Sequence, residues 1–179
     1  MNPIQLIVAG LISIGIPAIF LLIIYALDLY ASRTFRLVMI CFAWGAVGGL
    51  GFSYLFNTPV AVPLIRNLGL DYVWLYVVFA PIAEEILKSL SLFYVSHQKD
   101  FTYFVDGAIY VFAEGIGFAI TENLLYVQQN PQMGIPLAMI RGFSTCLMHG
   151  TAAGLVGAAV GRFRFQRGST RILALIGGW

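Results

Sequence analysis

The chain has 179 residues, 60% of them hydrophobic and 10% charged, with a formal net charge of +2 and a mean hydropathy of +0.87. Soluble domains carry about 25% charged residues, so this composition excludes an ordinary soluble protein and predicts a polytopic membrane protein. The small, dispersed charge argues against a nucleic-acid partner. No loop is long enough to fold separately, so we expect a single integral membrane domain over residues 1–179, all-α in structure.

Apolar runs predict at least five transmembrane helices. In chain order they are Ile4–Leu27, Leu37–Phe56, Leu70–Val95, Phe104–Val127 and Ile135–Val160. The first run has no basic leader and exceeds the length of a signal-peptide core, so we interpret it as an uncleaved helix. After Arg171 the segment ILALIGGW looks like the start of another span, which predicts a truncated sixth helix.

Small residues are concentrated in the second and fifth predicted spans. They include Gly45, Gly48 and Gly49 in the second, and the segment GTAAGLVGAAVG (Gly150–Gly161) in the fifth. Small residues at such spacing let membrane helices approach closely, which is a structural role. Cys41 and Cys146 both fall inside predicted spans, so we interpret them as buried packing residues rather than as a disulfide.

The basic residues of the loops predict the orientation. Spans one, three and five are followed by Arg33, Arg36, Lys99, Arg162, Arg164, Arg167 and Arg171, whereas spans two and four are followed only by Arg66. By the positive-inside rule, the N-terminus lies outside and the segment after span five is cytoplasmic.

The third predicted span carries three charged side chains, Glu84, Glu85 and Lys88. Each charge at mid-membrane costs about 2.5–3.5 kcal/mol, so such residues are functional candidates by default. Glu84 and Lys88 stand four residues apart and share a helix face, while Glu85 points about 100° away. We therefore expect Lys88 to pair with Glu84, which makes Glu85 the preferred general base.

The helical rise of about 1.5 Å per residue places polar residues of three spans at similar depths. Glu84, Glu85, Glu114 and His149 are predicted to share one layer, with Glu122, Asn123 and Arg141 about two turns away. Buried charges seek one another, so we predict one shared polar cavity, although Glu122 and Arg141 could also form a purely structural pair. From residue types alone, hydrolysis, proton or cation transport and structural pairing all remain open.

Three motifs occur in order on successive predicted spans. They are EEILK (Glu84–Lys88), GFAITENLLY (Gly117–Tyr126) and MHGTAAGLVG (Met148–Gly157). Together they resemble the PrsW family of intramembrane proteases, which is related to the CAAX prenyl endopeptidase and bacteriocin-processing group. The resemblance covers a core of about residues 70–160. The wider group has EExxxR, whereas here Lys88 stands one position earlier, which favours the PrsW branch.

The resemblance implies an endopeptidase at the cell membrane that cuts a membrane-anchored protein, similar to the site-1 protease of an anti-sigma factor. It implies that Glu84 and Glu85 activate water and that Glu122, Asn123 and His149 complete the catalytic set. Lys88 and Arg141 take supporting roles. A second histidine helix usually follows in such proteins, and its absence here supports the truncated sixth helix. The rival hypothesis is a proton- or cation-coupled transporter that uses the same carboxylates.

The candidate site residues are compatible with two hypotheses about a cofactor. Zinc sites use three tight protein ligands, often histidines, and the predicted spans hold one histidine, His149. A metal ion would therefore need Glu85, Glu122 and His149 together. We favour catalysis without a metal, with zinc as the alternative, because two neighbouring carboxylates can poise a proton for general-base chemistry.

Overall fold

The computed structural model of the protein describes residues 2–27, 35–49, 51, 55, 57–88 and 90–165. These ranges are helical with short connections and contain no β-strand. The α-helices are α1 (Pro3–Leu27), α2 (Phe35–Ala43), α3 (Val62–Asn67), α4 (Ala80–Lys88), α5 (Leu90–Ser96), α6 (Phe104–Gln129) and α7 (Gly134–Phe165). The prediction of an all-α fold is confirmed over the described residues.

Three of the helices are long and apolar enough to cross a membrane. They cover Pro3–Ala26, Phe104–Gln129 and Gly134–Arg164, and they coincide with the first, fourth and fifth predicted spans. A shorter apolar helix, Phe35–Gly48, occupies the start of the predicted second span. The end of that span lies partly outside the described residues, as does the predicted sixth helix. Three of the predicted spans therefore coincide with candidate membrane helices, and a count of five or more spans remains a prediction.

The predicted third span is helical but not one regular α-helix. A π-helical segment, Leu75–Phe79, leads into α4, and the amide of Ala80 bonds to the carbonyl of Leu75, five residues back. Pro81 follows at once and has no backbone N–H to donate, so a change in the helical hydrogen-bond pattern is expected near it. Helix α5 covers the described residues that follow, from Leu90 to Ser96.

Helix α6 forms the centre of the fold and packs against α1, α2, α5 and most extensively α7. Its middle third is entirely buried, from Val111 to Ile120. Glycines make the close approach possible: a Cβ atom built on Gly157 of α7 would lie 2.1 Å from the carbonyl oxygen of Gly107 of α6. The close helix packing predicted from small residues in the fifth span is therefore confirmed at this contact.

The start of α6 is fixed by a side chain of its own first turn. Asp106 Oδ2 accepts hydrogen bonds of 2.7 Å from the backbone amides of Thr102 and Tyr103. These bonds satisfy amides that a helix start leaves without a partner. They fix the point at which α6 enters the core, and so the position of every polar residue farther along it.

Candidate functional site

Helix α4 brings the paired glutamates to the core. The indole Nε1 of Trp44, in the segment that continues α2, donates a 3.2 Å hydrogen bond to the carbonyl of Leu87. Ala83 and Lys88 are buried, whereas Pro81, Ile82 and Ile86 are exposed. The helix therefore presents Lys88 to α6 and α7 and an apolar edge to the outside.

Lys88 pairs with Glu85 and not with Glu84. Its Nζ bonds to Glu85 Oε1, three residues earlier on the same helix, and lies 3.1 Å from His149 Nδ1. The predicted pairing of Lys88 with Glu84 is thus wrong. Residues three and four positions apart are both neighbours on a helix, so contacts with other helices decide which glutamate pairs with Lys88. Here the ammonium also lies 4.6 Å from the ring centre of Phe118.

The imidazole of His149 connects two carboxylates on opposite edges of its ring. Nδ1 lies 3.8 Å from Glu85 Oε1, and Nε2 lies 3.2 Å from Glu122 Oε2. A lysine ammonium can only donate, so the Lys88 contact makes Nδ1 an acceptor. The proton of a neutral ring then resides on Nε2 and is donated to Glu122. This tautomer is assigned from the hydrogen bonds around the ring.

Glu122 is held from its other side by Arg141. Arg141 Nη2 lies 2.9 Å from Glu122 Oε2, and its Nε donates a 3.2 Å bond to Asn123 Oδ1. The guanidinium also lies 3.7 Å from the ring centre of Tyr126. Arg141 is therefore fixed by three successive contacts along α6. Asn123 is fully buried, and its Nδ2 has no hydrogen-bond partner among the described residues.

These contacts join six residues into what we call the polar network: Glu85, Lys88, Glu122, Asn123, Arg141 and His149. The two layers expected from helix rise are therefore in contact, because the His149 side chain reaches Glu122 directly. Helices α4, α6 and α7 each supply two of these residues. The network holds two acidic and two basic side chains, each acid paired with one base.

Glu84 lies beside this network without belonging to it. Its side chain is partly exposed, and no hydrogen bond or ion pair of its carboxylate is seen within the described part of the chain. It interacts electrostatically with Glu122, His149 and Lys88. Among the residues that the structure describes, Glu84 thus lies next to two acid–base pairs without a counter-ion of its own.

Glu114 was expected in the same layer but has a different partner. Its Oε2 accepts a hydrogen bond from Ser91 Oγ of α5, and the side chain is fully buried. Its Oε1 has no hydrogen-bond partner among the residues that the structure describes. Glu114 therefore belongs to a second buried contact, between α5 and α6, and not to the polar network.

Two aromatic residues of the site were missed by sequence reasoning. Phe118 contacts Lys88 and His149, and Tyr126 stacks on Arg141. A signal was present, because both lie four residues from Glu122 on α6, and side chains at that spacing share a helix face. If the aromatic residues four positions from Glu122 had been included in the predicted site, both would have been identified.

The three side chains named as ligands for a metal ion do not converge on one point. Glu85 faces the Nδ1 edge of His149 and Glu122 faces the Nε2 edge, so an ion bound to one nitrogen is on the wrong side for one carboxylate. Among the described residues no group of three or more His, Cys, Asp or Glu could hold a metal ion. The carboxylates of Glu85 and Glu122 are already paired with Lys88 and Arg141. This arrangement does not fit that ligand set.

The fold and the network define a helical membrane protein with acid–base side chains buried between its spans. A family described as "PrsW family intramembrane metalloprotease" matches residues 33–179, and the chain therefore belongs to the PrsW protease family. It is accordingly an intramembrane peptidase, which disfavours the transporter hypothesis. The family is described as a metalloprotease, in contrast to the ligand arrangement above. No curated protein and no solved structure matches the chain.

Proposed function

We propose that the protein is a multi-pass protease of the cell membrane, with its N-terminus outside, that hydrolyses a peptide bond in a membrane-anchored protein. A substrate of the anti-sigma-factor kind, cut in its outer portion, fits this orientation. The observation that carries the mechanism is the position of Glu84, a carboxylate without a hydrogen-bond or ion-pair partner among the described residues, beside a network in which Glu85 and Glu122 each have one. We assign Glu84, rather than Glu85, as the general base.

In this mechanism Glu84 accepts a proton from water, and the hydroxide oxygen bonds to the carbonyl carbon of the scissile peptide. The resulting oxyanion needs a donor that is already in place. Asn123 Nδ2 is a buried donor without a partner among the described residues, so we assign this role to Asn123. The C–N bond then breaks, and the proton on Glu84 passes to the leaving amine, which restores the carboxylate.

The remaining members of the network keep these groups in place. Lys88 neutralises Glu85, and Arg141 holds both Glu122 and Asn123. His149 links Lys88 of α4 to Glu122 of α6 through its two ring nitrogens. No step of this mechanism passes through a metal ion, because the described side chains do not form the ligand set expected for one.

The test compares cells that express the wild-type protein with cells that express Glu84→Gln. Proteomic mapping of new N-termini in their membranes detects cleavage of any membrane protein, so the substrate need not be identified first. We expect new termini in the outer, membrane-proximal parts of single-span proteins with the wild type and not with the variant. Identical sets of termini in the two membranes, at equal protein levels, would contradict the proposed function.

A further inference from the structure

The Phe118 ring contacts two polar side chains of the network, so helix packing alone does not explain its position. Its ring is 1% exposed and lies between two members of the polar network. The ring centre is 4.6 Å from Lys88 Nζ and 4.8 Å from the centre of the His149 imidazole, with the two ring planes at 65°. One apolar side chain thus contacts both a buried cation and the histidine that links the network.

The ammonium of Lys88 has three N–H donors, and the described residues offer two acceptors for them, Glu85 Oε1 and His149 Nδ1. Lys88 itself is 1% exposed, so bulk water does not supply the third. The face of an aromatic ring attracts a cation electrostatically, and more strongly where water is excluded. The Phe118 ring supplies this remaining contact.

Glu84 and Glu85 are both within reach of Lys88 along the helix, at spacings of four and three residues. Backbone geometry therefore does not decide which carboxylate the lysine neutralises. His149 Nδ1, which contacts the ammonium, lies 3.8 Å from Glu85 Oε1, and Phe118 contacts both the ammonium and the His149 ring. Together these two contacts favour the position of the ammonium at Glu85. Without the ring, Lys88 is free to turn to Glu84.

We propose that Phe118 is a positioning residue that holds Lys88 on Glu85 and away from Glu84. This inference rests on the proposed function, since its effect on catalysis is to keep the general base unpaired. Loss of the ring lets the ammonium neutralise Glu84, which lowers the rate of the chemical step more than it changes substrate binding.

The first experiment replaces Phe118 with ring-fluorinated phenylalanines that carry one, two or three fluorine atoms. Fluorine withdraws electron density from the ring face and changes its shape little, so it weakens the cation contact stepwise. We expect kcat to fall with each added fluorine and KM to stay nearly constant. Phe118→Leu, which removes the ring, is expected to lower kcat by roughly 10- to 30-fold.

Phe112→Leu is the matched control, because Phe112 is a buried phenylalanine of the same helix that packs against Gly150. We expect it to leave kcat within about threefold of the wild type, since its contacts are apolar. Equal kcat values across the fluorinated series would overturn the proposal, whatever Phe118→Leu does. An equal loss in Phe112→Leu and Phe118→Leu, with no fluorine effect, would show that Phe118 acts by packing alone.

A second measurement separates failure of this inference from failure of the proposed function. The sequence has two lysines and two histidines, so isotope-labelled Lys and His give two signals of each kind, with Lys99 and His97 as internal references. In Phe118→Leu the Lys88 and His149 signals should shift while the references stay in place. If the wild-type protein cleaves no membrane protein, the proposed function is wrong, and the Lys88 and His149 signals alone then test the role of Phe118. Unmoved signals would overturn the role of Phe118.

Discussion

At the scale of single residues, the neighbouring glutamates Glu84 and Glu85 are chemically identical but differently placed. Glu85 bonds to a buried lysine, whereas Glu84 has no hydrogen-bond or ion-pair partner among the described residues. The same substitution at the two positions should therefore have different consequences. This difference gives a test of the assignment of the general base.

Glu84→Gln should lower kcat by roughly 10²–10⁴-fold, as expected for loss of a general base, and leave thermal stability unchanged. Glu85→Gln should lower stability by about 1–3 kcal/mol, because it leaves the Lys88 ammonium buried without its counter-ion. The expected loss is smaller than for a fully buried pair, since Glu85 is 30% exposed. Cleavage assays and thermal unfolding of the purified protein measure both effects.

Asp71→Asn is the control, an exposed carboxylate-to-amide change outside the site. It should alter neither activity nor stability. The assignment of Glu84 fails if Glu84→Gln retains full activity, or if only Glu85→Gln abolishes cleavage without loss of stability.

Metal content is a separate prediction at the same scale. Both nitrogens of His149 are engaged within the network, and its two carboxylate neighbours lie on opposite edges of the ring. We therefore expect the purified full chain to contain well under one zinc ion per molecule and to retain cleavage activity after chelator treatment. Stoichiometric zinc, with activity lost on chelation and restored by zinc, would show that the ligands rearrange around an ion.

The sequence allowed the residues of the network to be predicted better than their pairing. Charged and amide side chains in apolar spans are conspicuous, and Glu85, Glu122 and His149 do lie together. Helical spacing could not choose between Glu84 and Glu85 as the partner of Lys88, because both are its neighbours on the helix. The choice depends on Phe118 and His149, which other helices bring to the site.

At the scale of the helices, the interface between α6 and α7 positions half of the site. Gly107 and Gly157 meet there backbone to backbone, and Gly115 approaches the carbonyl of His149 so closely that a Cβ atom would lie 2.4 Å from its oxygen. Glycine is required at such contacts because any side chain would push the helices apart. The depth of His149 relative to Glu122 depends on this approach.

Gly157→Ala should therefore destabilise the protein by about 1–3 kcal/mol, the range usual for overpacking. Its added Cβ would lie 2.1 Å from the carbonyl oxygen of Gly107, where no flexible side chain can give way. Gly154→Ala, one turn earlier on α7, is the matched control, because the nearest atom to its Cβ is 3.5 Å away, an ordinary contact. Thermal unfolding in the same detergent compares the two; equal unfolding temperatures would contradict the packing argument.

Long apolar helices were predictable because their signal extends over the whole span. The first, fourth and fifth spans follow from hydropathy and length alone. The region before the glutamates was not predictable in the same way, since its π-helical segment depends on local hydrogen bonding around Pro81 and on packing. The predicted loop after the second span similarly proves to contain α3.

At the scale of the whole molecule, the orientation in the membrane remains a prediction from loop charges. Single cysteines at Asn67→Cys and Gln98→Cys report on opposite sides of the bilayer, in a background with Cys41 and Cys146 replaced. With intact cells and a membrane-impermeant thiol reagent, we expect labelling at position 67 and none at position 98 before lysis. The reverse pattern would place the N-terminus in the cytoplasm. Labelling at both positions after lysis is the control.

The two ring nitrogens of His149 make different hydrogen bonds, one as an acceptor and one as a donor. A half-turn of the imidazole about its Cβ–Cγ bond would put a ring carbon in the place of each nitrogen, so that the hydrogen bonds with Lys88 and with Glu122 would both be lost. One ring orientation is therefore stable, and the mobile proton stays on the α6 side. The network is therefore bonded in one arrangement before a substrate arrives, and the proposed reaction at Glu84 requires no turn of the histidine ring.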